Sequence, residues 1–240
     1  MSNKVDILAI GAHPDDVELS VAGTLMQQIA LGKKVAILDL TKGELGSRGT
    51  VETRYQEAEK AAKIMGISQR VNLNLGDGFF DLSRENKIKI IEQIRFFQPE
   101  IVLVNAYADR HPDHGRGAAL AKDACFLAGL LKIETSLNGV KQDKWRPNAI
   151  YGYIQDHYLK PDFVVDISAF VDKKMDAIMA YNTQFYNPNS TEPRTPISGK
   201  DFVNFLKGRW SQFGRGIGVD YAEGFTVDRP IGIKNISDLI

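Results

Sequence analysis

The feature that most constrains this chain is the alternation, through its first half, of short apolar runs and amphipathic stretches. Val5-Asp6-Ile7-Leu8-Ala9-Ile10, Val35 to Leu40 and Ile101 to Val104 are nearly continuous apolar runs. Such runs predict strands of a parallel sheet buried on both faces. Val71 to Leu75 adds a shorter strand. Between them, helices are expected over Ser20 to Leu31, Glu52 to Met65, Ser83 to Phe97 and Gly117 to Leu130. Ser20 reads as an N-cap, and Gly32 and Gly66 read as C-terminal stops. Strand and helix in strict turn, with short connections, imply an α/β fold: a right-handed, mostly parallel sheet covered by helices on both faces.

The second half is less regular. Ala149 to Ile154 and Phe163 to Ile167 read as strands, and Ala169 to Phe185 and Asp201 to Phe213 as helices. Residues 186–200, rich in Pro, Asn, Ser and Thr, read as a loop. No internal repeat or boundary divides the chain, so one domain over residues 1–240 is expected.

Thirty basic and thirty acidic residues give zero formal net charge, which removes the electrostatic basis of a general nucleic-acid binder. No stretch has membrane-spanning length, and the first apolar run is short and interrupted by Asp6. Cys125 is the only cysteine, so an intrachain disulfide and a thiolate zinc site are both excluded. A cytoplasmic protein is the simplest account.

Chemistry concentrates in two near-copies, His13-Pro14-Asp15-Asp16 after the first strand and His111-Pro112-Asp113-His114 after the fourth. They hold three of the four histidines. In a parallel sheet both turns fall at the carboxyl edge, where open α/β sheets place their ligands. His13 and Asp16, three residues apart, share one side of a helix-like turn, and His114 supplies a third donor. Two imidazoles and a carboxylate suit Zn²⁺, one per chain, with a coordination position left open for catalysis. The same donors also suit Fe²⁺ or Mn²⁺. Asp15, adjacent to a ligand, is the candidate general base. His111 is the candidate acid or oxyanion donor, with Asp113 setting its tautomer and raising its pKa. Other strand-end positions have ordinary readings: Asp77 beside Gly76 and Gly78 as an Asx-turn, and Arg54 as a surface cation pairing with Glu57 or Glu52.

These motifs resemble the LmbE-like (PIG-L) zinc-dependent N-acetylglucosamine deacetylases. The resemblance extends through Thr41 to Thr50 and Tyr221-Ala222-Glu223-Gly224-Phe225, which point to the bacillithiol branch acting on N-acetylglucosaminyl-malate. It implies a Rossmann-like fold, with His13, Asp16 and His114 as zinc ligands, Asp15 as base, and His111 supported by Asp113 as acid or oxyanion partner. It also turns Arg54, Asp77 and Arg110 into sugar- or malate-binding residues and implies a homo-oligomer, a hexamer in this branch. Where some relatives carry a tyrosine in the late loop, the nearby aromatic here is Phe202, without a hydroxyl.

Three rivals stand beside this reading. A dinucleotide-binding oxidoreductase would need a Gly-x-Gly-x-x-Gly turn after the first strand, and Gly11 stands alone there. A non-catalytic sugar-binding module leaves Asp15 beside Asp16 without a purpose. A metal-dependent phosphoesterase would usually hold two metals, whereas the expected ligands serve one. Relatives with similar motifs that act on chitooligosaccharides or inositol-linked sugars make those substrates the alternative to the malate conjugate.

Overall fold

A computed structural model describes residues 3–239. Its centre is a seven-stranded sheet in which β1 (Ile7–Gly11) lies between β2 (Val35–Asp39) and β4 (Ile101–Val104), parallel to both. β3 (Gln69–Asn72) extends the sheet beyond β2, and β7 (Ala149–Tyr153) extends it beyond β4, again in parallel. Chain order therefore reverses at β1. The chain first winds outward through β2 and β3, then returns to lay β4 on the other side. The crevice above such a reversal is where α/β folds bind ligands. The far edge turns antiparallel, with β9 (Ala222–Val227) between β7 and β8 (Phe163–Asp166).

Alternation along the strands makes two layers of core. Leu8 and Ile10 face one way, packing with Leu38, Val102, Val104 and the apolar residues of α3 (Arg84–Phe97) and α4 (Pro112–Ala128). Ile7 and Ala9 face the other way, against Val17, Val21 and Leu25 of α1 (Asp16–Ala30), as the two-residue period of a strand requires. A third cluster joins α2 (Val51–Met65) to α5 (Val171–Met179) and α6 (Lys200–Arg215) through Ala58, Ala61, Ile178, Tyr181, Phe202 and Trp210. Among the described residues no helix is long and apolar enough to cross a membrane.

The expected class, a mostly parallel sheet covered on both faces, is observed. Several boundaries move, each for a local reason. α1 starts at Asp16 instead of Ser20, because the Asp15 carbonyl accepts the Leu19 N–H and opens the helix there. Ser20 is buried mid-helix and caps nothing. α4 starts at Pro112, five residues before the expected Gly117. Proline fits the first helical position because its missing N–H is not needed there, and the His111 ring accepts the Asp113 N–H as a cap. β3 occupies Gln69–Asn72 instead of 71–75, and the chain leaves the strand conformation at Asn74, whose φ is 51°. The helix expected to reach Phe185 ends at Met179, after a 3-10 turn at Ser168–Phe170.

One strand and one hairpin were not expected from the sequence. In β9 the polar Glu223 and flexible Gly224 interrupt the strand pattern. The small hairpin of β5 (Ser136–Leu137) and β6 (Val140–Lys141) turns on Asn138-Gly139, both at positive φ, which is a readable hairpin signal.

Gly23 sits where α1 crosses Ile167. A Cβ at this position would lie 2.7 Å from Ile167 Cβ and Cγ2. Gly23→Ala is expected to cost about 1–3 kcal/mol through overpacking, lowering the melting temperature by roughly 2–12 °C for a domain of this size. An unchanged melting curve would show that α1 and Ile167 separate freely.

Candidate active site

Three chain segments meet at the crevice. The turn after β1 carries His13, Asp15 and Asp16. The loop after β3 carries Asp77. The segment after β4 carries Asp109, His111 and, on the first turn of α4, Asp113 and His114. The His13 and His111 rings meet edge to face at 4.6 Å between centroids, and the His111 and His114 rings lie 5.3 Å apart.

Asp16 lies at the junction. One oxygen stands 3.1 Å from His114 Nε2; the other accepts the His13 backbone N–H at 3.0 Å and faces His13 Nδ1 at 3.7 Å. Asn105 and Gln155 also donate side-chain N–H groups to this carboxylate. Burial alone would raise the Asp16 pKa, but the charge and hydrogen bonding of His114, and then of His13, hold it well below the usual carboxylate range.

The histidines divide into two kinds. Burial lowers the pKa of His13, yet hydrogen bonding to Asp113, Asp16 and Asp77 raises it well above the ordinary value. His114 is likewise opposed by burial but held at about 9 by Asp16 and by Asp109, which accepts from its Nδ1. His111 behaves oppositely. Burial and the neighbouring His13 and His114 push its pKa down, so it is neutral at pH 7. Its Nδ1 accepts the Asp113 backbone N–H at 3.2 Å, which assigns the ring proton to Nε2.

This corrects the expectation for Asp113. Its carboxylate does not set the tautomer of His111; its charge does favour the imidazolium form, but burial and the two neighbouring histidines outweigh it. One oxygen accepts the Gly78 N–H at 2.8 Å and faces His13 Nε2 at 3.5 Å; the other pairs with Arg116 at 2.6 Å. The main chain of Asp113, not its side chain, orients His111.

Asp15 lies at a φ of 120°, a conformation that non-glycine residues rarely adopt. Arg54 holds it there, donating to its Oδ2 at 2.7 Å and to the Pro14 and Gly43 carbonyls. Burial pushes the Asp15 pKa up to about 6, against the pull of the Arg54 guanidinium. Arg54 is thus neither a surface residue nor the partner of Glu57 or Glu52. It is buried, and Glu57 instead accepts from Thr183. Both Asp77 oxygens are also committed, one to His13 Nε2 at 2.9 Å and the other to the Leu45 N–H at 3.0 Å. Burial opposes its ionisation, but the hydrogen bond to His13 brings its pKa down to about 2. Arg110 lies at the exposed rim, paired with Asp156.

Asp109, Asn105 and Gln155 were missed as site residues. Asp109 orients His114 in the way that an outer carboxylate commonly orients a metal-ligating histidine. Its signal was its position, at the end of the most apolar strand and five residues before His114. Asn105, just after β4, braces the first motif, accepting the Ala12 N–H and donating to Asp16.

Among the described residues, two sets of three bring potential ligand atoms within 4.8 Å of one another: His13, His111 and His114, and His13, Asp77 and Asp113. Asp16 touches the first set through both His13 and His114. The donors are imidazole and carboxylate without thiolate, a combination that suits Zn²⁺, Fe²⁺ or Mn²⁺. Carboxylates that stabilise imidazolium at His13 and His114 also stabilise a divalent cation between them. The residues therefore fit a metal. A cavity of about 330 Å³ opens over the cluster, bounded on its far side by α6 and by residues 195–197.

Comparison with known proteins agrees with this arrangement. Residues 8–125 match the PIG-L family, described as GlcNAc-PI de-N-acetylase. A diacetylchitobiose deacetylase of Thermococcus kodakarensis is 31% identical over 189 residues, covering 75% of this chain and 70% of that protein. A probable N-acetyl-α-D-glucosaminyl L-malate deacetylase of Bacillus subtilis is 30% identical over 200 residues, covering 75% of this chain and 84% of the relative. The crystal structure of a conserved protein from Thermus thermophilus superimposes with a TM-score of 0.84 at 36% identity, covering 95% of this chain and 97% of that one.

The Asp109 contact is directly measurable. In metal-free protein, NMR titration of His114 is expected to give a midpoint near 9. Asp109→Asn should move that midpoint down, because it removes a negative charge and the acceptor that favours the imidazolium form. An unmoved midpoint would show that Asp109 does not support His114.

Proposed function

The chain belongs to the PIG-L family of de-N-acetylases, and from that premise we propose that it hydrolyses the N-acetyl group of an N-acetylglucosamine conjugate with a bound divalent metal. The observation that carries the proposal is the juxtaposition, in one cavity, of a buried carboxylate with a raised pKa, a neutral imidazole donor and an imidazole–carboxylate cluster fit for a cation.

In this reading His13, Asp16 and His114 hold the ion, Zn²⁺ in the first instance, with His111 beside them. When bound, the ion supplies Lewis acidity, which acidifies water and polarises a carbonyl. Asp15 accepts the proton of the attacking water. At about 6 its pKa leaves it ionised at pH 7 yet more basic than an ordinary carboxylate, the compromise that general bases favour. Arg54 keeps that carboxylate aimed and is a positioning residue for the base. As water oxygen bonds to the amide carbon, negative charge develops on the former carbonyl oxygen. The Nε2–H of neutral His111 donates to it, the role in which a preorganised donor counts most. Collapse breaks the C–N bond, and the amine leaves with the proton that Asp15 took up. The products are acetate and the same conjugate with a free amine on its glucosamine.

Two conjugates have specific support. N-acetylglucosaminyl-malate, the bacillithiol precursor, follows from the sequence resemblance and from the Bacillus subtilis relative. Diacetylchitobiose follows from the Thermococcus relative. One catalytic domain over the whole chain, a cytoplasmic setting and a homo-oligomer, hexameric in the malate branch, belong to the same proposal. Arg110, at the rim, remains the candidate for contact with the substrate's distal part.

The test is amine release by the purified protein before and after chelation. Activity is expected to vanish with chelator and to return with Zn²⁺; activity indifferent to chelation would exclude the metal. Asp15→Asn should retain the wild-type metal content by elemental analysis while turnover falls by roughly 10²–10⁴-fold. A near-normal rate in that variant would end the general-base assignment.

A further inference from the structure

We propose that Asp77 is a positioning residue for the metal: together with Asp113 it holds the Nε2–H of His13, so that His13 offers Nδ1 to the ion. Asp77 is then neither a ligand nor a sugar contact. This inference rests on the metal-dependent reading above and adds an outer layer to it.

The two ring nitrogens of His13 face different surroundings. Nε2 stands 2.9 Å from one oxygen of Asp77 and 3.5 Å from one of Asp113. An ionised carboxylate only accepts hydrogen bonds, so Nε2 carries a proton. A histidine binds metal through a nitrogen that carries none, which leaves Nδ1. That nitrogen faces Asp16 at 3.7 Å, too far for a hydrogen bond. Two ligands held by one tetrahedral ion at about 2.0–2.2 Å lie roughly 3.3–3.6 Å apart, close to this gap. His114 is the mirror case, with Asp109 on its Nδ1 and Asp16 facing its Nε2. Each imidazole is therefore backed by carboxylate on the nitrogen turned away from Asp16, the arrangement that orients metal-ligating histidines.

One turn builds the support for His13. Gly76 and Gly78 lie at φ 96° and 74°, so Gly76-Asp77-Gly78 bends as glycine readily allows. The bend aims the Asp77 carboxylate at His13 and the Gly78 N–H at Asp113, 2.8 Å away. Asp77 is fixed in turn by the loop after β2. Glu44 accepts the Asp77 N–H at 2.8 Å, and the Leu45 N–H donates to the second Asp77 oxygen at 3.0 Å. Arg116 closes the bracket, donating to both Asp113 and the Gly78 carbonyl.

Two other roles for Asp77 fit this arrangement less well. As a ligand it would share an ion with His13 and Asp113. Asp113 is fully buried and does not line the cavity, whereas His13, Asp16 and His114 all do, so only an ion on the Nδ1 side meets the open space. A sugar contact calls for an oxygen turned to the cavity without a protein partner, and both Asp77 oxygens have one.

The first test is NMR of the zinc-loaded full chain with isotope-labelled histidine, whose four rings report separately. His13 should carry its proton on Nε2 and zinc on Nδ1, and His114 the reverse. Zinc on Nε2 of His13 overturns the proposal. The second test measures zinc affinity of Asp77→Asn by competition with a chromophoric chelator. The dissociation constant should rise about 10–100-fold, because an amide oxygen must replace two carboxylate oxygens that serve His13 and Leu45; an unchanged value overturns the proposal. With zinc saturating, the variant's loss should fall on kcat for whichever of N,N′-diacetylchitobiose and N-acetylglucosaminyl-malate is hydrolysed. A raised KM with kcat and zinc affinity retained makes Asp77 a sugar contact instead. Zinc on Nδ1 of His13, weakened by Asp77→Asn, with amine released from neither compound, overturns the deacetylase and leaves Asp77 in its role. A wild-type chain that binds no zinc overturns both.

Discussion

The site depends on one buried carboxylate. Asp16 accepts from its own turn through the His13 N–H, faces the imidazole of His114 on α4, and accepts from Asn105 after β4 and Gln155 after β7. Three stretches far apart in the chain, around His13, from Asn105 to His114 and at Gln155, thereby converge on two oxygen atoms. Removing an ionised group from water is expensive, and only charged or hydrogen-bonded partners on every side offset that cost. The same requirement constrains the spacing of the motifs, because a shift of any one loop takes a partner from an oxygen of Asp16.

Beneath this cluster the support is also ionic. Arg70 forks onto both oxygens of Asp39 at 2.7 and 2.9 Å and reaches Glu18 on α1 at 2.6 Å, where Tyr181 also donates. On the other side of α1, Glu223 of β9 accepts the Gly23 and Thr24 N–H groups and pairs with fully buried Lys174, whose ammonium lies 4.3 Å over the ring of Trp210. α1, whose first residue is Asp16, is therefore pinned from two sides by charges that a hydrophobic contact could not aim. Such pairs seldom raise stability over well-packed apolar residues. Their effect here is to hold the start of α1, and with it Asp15 and Asp16, in one place. Glu223 belongs to the late sequence match that carried part of the family resemblance, and its contacts give that match a physical reason.

Legibility in the sequence differed residue by residue. His13, Asp15, Asp16, His111 and His114 stood out because a rare residue type was concentrated in two near-identical turns, each at the end of an apolar strand. Arg54 was misplaced by local reasoning, since nothing within its own helix indicates that its partner is Asp15, thirty-nine positions earlier. Asp113 was assigned to His111 because the two are close in sequence, yet the first turn of α4 carries its carboxylate toward Gly78 and Arg116. Asp109 and Asn105 carried no motif at all; their importance lies in what they touch.

The sequence by itself determined the layered α/β fold, the parallel edge on which both motifs lie, and the kinds of donor that meet there. Those properties follow from periodicity and composition, which act over a few residues at a time. Only the tertiary structure decided which carboxylate serves which imidazole, and why Asp15 is basic while its neighbour Asp16 is not. Each of those is set by burial and by charges brought from distant segments. A pKa or a hydrogen-bond partner is a property of the surroundings, and the surroundings exist only after the chain has folded.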